Sequence, residues 1–308
     1  MRHATALIHP RAQLAPGVAV GPFSIIGEHA VIGEGTWIGP HVVIDGHTRI
    51  GRNNRIFQFC SIGGEPQDKK YAGQPTGVEI GDGNTIREYV TINRGTAQDK
   101  GVTRLGSDNW IMAYVHLAHD CQVGSHTIFA NLAQLAGHVV IGDWAILGGG
   151  TLVHQFVHVG AHSFTGMSTY LDRDLPPFVK AAGHMAKPFG INGEGLRRRG
   201  FAAATIAALQ QAYRTVYRSG LSQQEILREL AAQGAECAEV RSLAEFIDAS
   251  PRGIPGSTAR FSPRRFVMDS PCPFTPGSDT TSSPTIPCST GPPSAAPQTD
   301  VPPKPSRA

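Results

Sequence analysis

The stretch "IGEHAVIGEGTWIGPHVVIDGHTRIGRNNR", Ile26 to Arg55, places an isoleucine at every sixth position: Ile26, Ile32, Ile38, Ile44 and Ile50. The rhythm extends backwards through Val20 and Leu14 to Ile8, and forwards through Ile56 to Ile62, without one polar residue in the series. It resumes at Ile80, Ile86 and Ile92 and then slips by one residue. From Leu105 it runs through Ile111, Leu117, Val123, Phe129, Leu135, Ile141, Leu147, Val153 and Val159 to Thr165. A helix repeats its apolar face every 3.6 residues and a strand every 2, so neither accounts for a strict period of six. The hexapeptide period belongs to a parallel β-helix, in which each hexad supplies one flat side and turns its aliphatic inward, with small residues at the corners. Three hexads then close one coil of a three-sided prism.

Composition agrees with a turn-rich β architecture: 36 Gly and only 7% aromatic residues in 308. A net charge of +3 gives no general reason to expect nucleic acid or a membrane surface as partner. No run approaches the ~20 apolar residues of a spanning helix, and "MRHATALIHPRAQ" offers no apolar segment with a cleavage site. Five scattered Cys without a CxxC pair fit a reduced, cytoplasmic protein.

Two segments interrupt the period. Residues 63–79, "GGEPQDKKYAGQPTGVE", and residues 95–104, "GTAQDKGVTR", read as loops thrown out from the prism; loops on rigid scaffolds commonly carry binding residues. The pattern ends after Leu171, and from about Leu196 to Ile247 the texture turns helical, predicting two to four helices. Gly220 suits a helix end, and Ser222 with Glu225 has the spacing of a capping box. Beyond Ser250 the composition changes abruptly, since 14 of the 23 Pro lie from Pro251 onward. The expected organisation is a β-helix over 1–186, a helical domain over 187–250 and a Pro/Ser/Thr-rich disordered tail over 251–308.

Positions three hexads apart should stack from coil to coil. His119 then lies under Gly137 and Gln155, and Asp120 under His138, with His154 one place and His116 three places before these columns. None takes the inward position, so core burial does not explain them. Neutral imidazoles are common zinc ligands, and one reading is a zinc site of the gamma-carbonic-anhydrase kind. The local pair His116 and His119 is three apart, however, whereas that family has a pair five apart. The other reading is a general base, His119, oriented by Asp120, with the Gly137 amide placed to hold an oxyanion; this favours acyl transfer.

Longer motifs carry a resemblance. "GEPQDKKYAGQPT" (Gly64–Thr76), "IGDGNTIREYVTINRGT" (Ile80–Thr96), "HLAHDCQVG" (His116–Gly124), "LAGHVVIGD" (Leu135–Asp143), "VHQF" (Val153–Phe156) and "NGEGLRRRGF" (Asn192–Phe201) make the chain resemble the acyl-carrier-protein–UDP-N-acetylglucosamine O-acyltransferases over roughly residues 5–250. The resemblance implies a homotrimer of left-handed β-helices that transfers an (R)-3-hydroxyacyl chain from acyl carrier protein to the sugar 3-hydroxyl, the first step of lipid A biosynthesis. It implies no cofactor and no metal. His119 would be the base, Asp120 its orienter and Gly137 the oxyanion donor. Asp68 and Lys70 would hold the sugar, while His116, His138, His154 and Gln155 would line the cleft. Asn192, Glu194 and Arg198 would bind the nucleotide and phosphates, and Arg197 and Arg199 either steer an acidic carrier or sit on a solvated helix start. In the family the residue at Met167 closes the acyl groove. A side chain there implies a shorter acyl group, on the order of 10 to 12 carbons, since each buried CH₂ counts for ~0.8 kcal/mol.

Alternatives are the N-acyltransferase of the same pathway, which normally carries a further N-terminal domain, a zinc hydratase, and a β-helical binding protein without chemistry. The family usually ends near residue 255. The tail is therefore either a lineage-specific extension or a reading-frame artefact, with no catalytic role expected.

Overall fold

A computed structural model describes residues 1–256; the Pro-rich segment expected from 251 onward lies, apart from its first six residues, outside the described residues. The hexads form a left-handed, three-sided parallel β-helix. Its first face stacks nine short strands from Leu7–Ile8 to Tyr170–Leu171, and its second stacks eight from Gln13–Leu14 to His158–Val159. The third face begins at Ala19–Val20 and ends with Val179–Ala182, against which Lys187–Ile191 pairs antiparallel. Ile8 lies opposite Ile26, Ile26 opposite Ile44, and Ile44 opposite Ile62, one coil apart each time.

Every apolar residue of the six-residue series from Val20 to Val159 is at most 4% exposed, and Thr165 ends the series fully buried. At roughly 1.5–3 kcal/mol for each fully buried Val, Leu or Ile, this column is the main source of stability. In most hexads the residue after the aliphatic is Gly or Ala, where the next coil comes close. A Cβ on Gly33, for instance, would lie 2.6 Å from the Gly51 carbonyl.

The corners themselves differ from expectation. Two residues further on the backbone turns to positive φ, and bulky side chains take that position: Phe23, His41, Phe59, Tyr89 and Tyr114 on the edge between the third and first faces. Their rings stack one coil above another at 4.8–5.2 Å. Left-handed φ is unfavourable for such residues, and ring-on-ring packing between coils offsets it.

Both interruptions leave the prism at one edge, between the first and second faces. Ile62 pairs with Ile92, where an unbroken coil would bring it to Ile80, so a length of chain equal to two further hexads leaves the coil. Ile92 pairs with Leu117, where an unbroken coil would bring it to Trp110, so one hexad and one residue more leave the next coil. The loops are narrower than the broken rhythm suggested, because Ser61–Gly64, Gly77–Ile80 and Val102–Leu105 remain in the sheets.

Four helices follow the prism: α1 (Gly193–Arg198), α2 (Ala203–Arg218), α3 (Gln223–Gln233) and α4 (Ala238–Ala249). Ser222 and Glu225 form the reciprocal capping box, and Gly220 sits just past α2 at φ 74°. Residues beyond α4 return to the prism. Ser250 Oγ donates to the buried Asp174 carboxylate and Ile254 is fully buried. No helix among the described residues is long and apolar enough to cross a membrane.

Candidate active site

The edge that throws out the two loops also carries His119, Asp120, Gly137, His138, His154 and Gln155, in the turns that leave His116–Leu117, Gln134–Leu135 and Leu152–Val153. Leu117 and Cys121 point into the core, which burial makes plain: both are fully buried, and the Cys121 thiol is pushed up to about 12 by desolvation. His119 and Asp120 are what the turn between them presents outward.

Asp120 is completely buried at φ 61°. Its Oδ2 lies 3.0 Å from His119 Nδ1, accepts from Thr96 Oγ1 at 2.6 Å, and shares the Thr96 amide with Oδ1 at 3.1 Å. Burial by itself would raise the carboxyl. The hydrogen bonds from His119 and Thr96 outweigh it and hold Asp120 below the usual carboxylate range. An ionised carboxylate only accepts, so His119 carries its neutral proton on Nδ1 and leaves Nε2 as the basic nitrogen. The His119 ring stands against Gly137 one coil above: a Cβ there would lie 2.6 Å from Cε1 and 2.8 Å from Nε2. Glycine at 137 is therefore a space requirement. The Gly137 carbonyl accepts from the Phe156 amide, while its own N–H has no acceptor among the described residues.

His138 stacks flat on Phe156, ring centroids 4.2 Å apart, and meets His119 edge-to-face at 4.9 Å. Its Nδ1 lies 2.6 Å from Asp99 Oδ2 and 3.9 Å from Asp120 Oδ2. His116 Nδ1 bonds Thr91 Oγ1 at 2.7 Å, and burial followed by the nearby His119 lowers its basicity. His154 Nδ1 lies 3.1 Å from the Gln155 carbonyl and 3.3 Å from Arg252. Beside this edge, across the first face, His116, Gln134, Leu152, His154 and Tyr170 line an open groove of about 370 Å³ with a mainly apolar floor. Met167 lies in the turn before Tyr170–Leu171, at the far edge of the same face, and is 80% exposed.

The loops close on the edge from outside. In the first, Asp68 accepts from the Lys70 amide and Arg94 holds the Tyr71 hydroxyl at 3.1 Å. In the second, Thr96 reaches Asp120 and Asp99 reaches His138. Neither Thr96 nor Asp99 figures among the sequence-derived site residues. They lie in the insertion, outside the stacked columns, where coil counting has no purchase.

The residues of α1 sit elsewhere. Asn192 is its N-cap, with Oδ1 accepting from the Gly195 amide and Nδ2 donating to the His162 carbonyl. His162 belongs to the edge between the second and third faces, so this chain does not bring Asn192 and His119 to one edge. Glu194 is paired with Arg197 and Arg198. Arg199 turns inward, with Nη2 on the Trp144 carbonyl at 3.1 Å and the guanidinium over the Trp144 ring at 5.1 Å, and so fastens α1 to the prism. It is not a free steering charge.

His119, Asp120 and His138 each offer a donor atom within 4.8 Å of the others, the one set among the described residues with the spacing for a metal ion. The facing atoms are already engaged: both Nδ1 positions bond carboxylates, and Asp120 is filled by Thr96. The inert Cys121 thiol adds no thiolate. This arrangement suits proton transfer better than coordination.

Residues 174–255 match the family model described as UDP N-acetylglucosamine O-acyltransferase, domain 2, and residues 103–134 match the bacterial transferase hexapeptide model. An acyl-[acyl-carrier-protein]–UDP-N-acetylglucosamine O-acyltransferase of Janthinobacterium sp. (strain Marseille) is 58% identical over 256 residues, covering 82% of this chain and 98% of the relative. Among solved structures, LpxA of Acinetobacter baumannii superposes with a TM-score of 0.81 at 44% identity, covering 82% of this chain and 99% of that one. The Arabidopsis UDP-N-acetylglucosamine acyltransferase gives 0.71 at 34% identity, with 83% and 100% coverage.

Proposed function

The chain belongs to the acyl-[acyl-carrier-protein]–UDP-N-acetylglucosamine O-acyltransferase family, and from that premise we propose that it transfers an (R)-3-hydroxyacyl group from acyl carrier protein to the 3-hydroxyl of UDP-N-acetylglucosamine, with His119 as general base. The observation that carries the reading is the His119–Asp120 contact of 3.0 Å with Gly137 pressed against the other side of the ring.

His119 Nε2 takes the proton of the sugar hydroxyl as that oxygen attacks the thioester carbonyl. The imidazolium so formed is stabilised by the buried Asp120 carboxylate. The tetrahedral oxyanion is received by the Gly137 N–H. Collapse expels the carrier's thiolate, which takes the proton from His119, so base and proton balance close over one turnover. Asp68 and Lys70 in the first loop hold the sugar, and His116, His138, His154 and Gln155 line its cleft. The acyl chain lies along the apolar floor of the first face and stops at Met167, which sets a limit on the order of 10 to 12 carbons.

Asn192, Glu194 and Arg198 lie on a different edge from His119, and a nucleotide contact by them requires α1 of a neighbouring copy. A homotrimer with sites between prisms supplies it. An acidic carrier protein finds opposite charge at an open groove of about 400 Å³ lined by Lys180, Arg214 and Arg218, beside the Glu194–Arg197 pair. The reaction takes place in the cytoplasm, where carrier protein and nucleotide sugar meet.

The test is purified protein with UDP-N-acetylglucosamine and a panel of 3-hydroxyacyl carrier proteins. His119→Ala is expected to lose about 10²–10⁴-fold in kcat. Full activity of that variant removes the mechanism, and stoichiometric bound zinc with no acyl transfer would put the hydratase reading in its place.

A further inference from the structure

We propose that Asp99 is a positioning residue of the acyl-transfer site, fixing His138 in its Nδ1–H tautomer and holding the ring against His119. This rests on the reading of His119 as the base and His138 as a cleft residue.

The contact is short and sheltered. Asp99 Oδ2 is 2.6 Å from His138 Nδ1, and the two side chains are only 13% and 16% exposed. The His138 ring is then held on three sides: by Asp99 at Nδ1, by Phe156 across its face and by the edge-on His119. A carboxylate only accepts, so His138 donates its Nδ1–H to Asp99 and the neutral ring presents Nε2 as an acceptor. A sugar hydroxyl is the group that position suits.

The loop is built to do two such jobs at once. The Gly101 and Asp99 amides both turn back onto the Thr96 carbonyl, at 3.0 and 3.3 Å. That tight turn sets Thr96 and Asp99 three residues apart on the prism side. Thr96 secures Asp120 and through it His119, while Asp99 secures His138. One short insertion thus orients both imidazoles. Lys100 and Gln98 in the same loop are exposed, and Gln98 reaches back to the Lys70 carbonyl, which joins the two loops.

The test uses the full-length enzyme with ¹⁵N-labelled histidine. In wild type the His138 ring should show Nδ1 protonated and Nε2 bare. Asp99→Ala should shift it towards the Nε2–H form and lower kcat/KM about 10- to 100-fold, the scale of an ångström-sized misplacement, chiefly through KM for the nucleotide sugar. Asp99→Asn, which fills the same space, should fold as wild type and show an intermediate loss. An unchanged tautomer in both variants overturns the proposal, as does a tautomer shift without change in kcat/KM. A loss of rate that only follows a lowered melting temperature, with the tautomer kept, overturns it too by making Asp99 a loop tie. The tautomer is read without turnover. If His119→Ala stays active while Asp99→Ala moves the His138 resonance, it is the base assignment that fails.

Discussion

Gly137→Ala should displace the proposed base while leaving the oxyanion donor in place. The added methyl would lie 2.6 Å from His119 Cε1, 2.8 Å from Nε2 and 3.2 Å from Nδ1. Carbon contacts settle near ~3.5 Å, so the ring must retreat by roughly 0.8 Å or more. It cannot do so freely, because Nδ1 is tied to Asp120, and Asp120 is fixed by Thr96 through hydroxyl and amide. A misplacement of about 1 Å costs about 10²-fold in rate, or roughly 2.7 kcal/mol of transition-state stabilisation. The backbone at Gly137 lies outside the left-handed region, so the strain of the variant comes from the contact with His119 and not from its φ. The expected signature is therefore divergent: kcat/KM down about 100-fold with a melting temperature within a few degrees of wild type. Initial rates at several donor concentrations, with thermal unfolding of the same preparations, read both. Wild-type kcat/KM in a folded variant refutes the placement of His119 against Gly137.

His162 is pushed down to about 4 by burial first and the Arg199 guanidinium second, with Asp143 and Glu239 opposing. Between that value and the ~6.5 of an unfolded histidine, the unfolded chain binds more protons, so stability should be full above ~6.5 and fall as pH drops towards 4. His162→Gln should flatten this limb in denaturant titrations between those pH values, and an identical slope in the variant would show that another group carries it. Met167→Gly should move donor preference towards longer chains. Four further methylenes at ~0.8 kcal/mol each set a ceiling of about two orders of magnitude on the ratio of 14- to 10-carbon turnover. Equal turnover of both donors by wild type, or an unchanged ratio in the variant, rejects the groove limit.

The fold was legible because one residue type at one spacing carries it. Ile26 to Ile62 declare the inward column without reference to anything distant, and the structure buries each of them. The histidine edge was legible for the same reason: three hexads on from Asp120 is His138, and the two lie 3.9 Å apart at their nearest polar atoms. What counting missed follows from its premise. Small corner residues were expected, whereas Phe59, Tyr89 and Tyr114 adopt positive φ because each ring has another to stack on. Asn192 and Arg199 look like ligand-binding polar residues in a linear reading. Within the chain their side chains also fasten α1, bonding the His162 carbonyl, the start of α1 and Trp144, partners in part far away along the chain.

Thr96 and Asp99 point to a more general relation between solenoid and site. In an uninterrupted prism a corner side chain meets the equivalent corner above and below, and every coil repeats the arrangement. The stacked rings of Tyr89 and Tyr114 are of this kind. Acid–base chemistry requires neighbours that differ: an acceptor at one ring nitrogen, space at the other, and a donor for the oxyanion. The coil itself supplies these by changing residue within a column, with Asp120 beside His119 and Gly137 above it. A further donor for the buried Asp120 and an acceptor for His138 Nδ1 are groups that enter from outside the repeat, since the inward positions are aliphatic and the faces are occupied by hydrogen-bonded strands. The second of two consecutive insertions at a single edge provides them, and its turn at Thr96–Gly101 is short enough to hold its own shape. An insertion of the same length at either other edge would leave Asp120 buried with no donor but its neighbouring histidine. For a buried carboxylate that is a cost of about 1–3 kcal/mol per missing hydrogen bond. The position of the insertions, more than their composition, is what converts a repeating prism into a site.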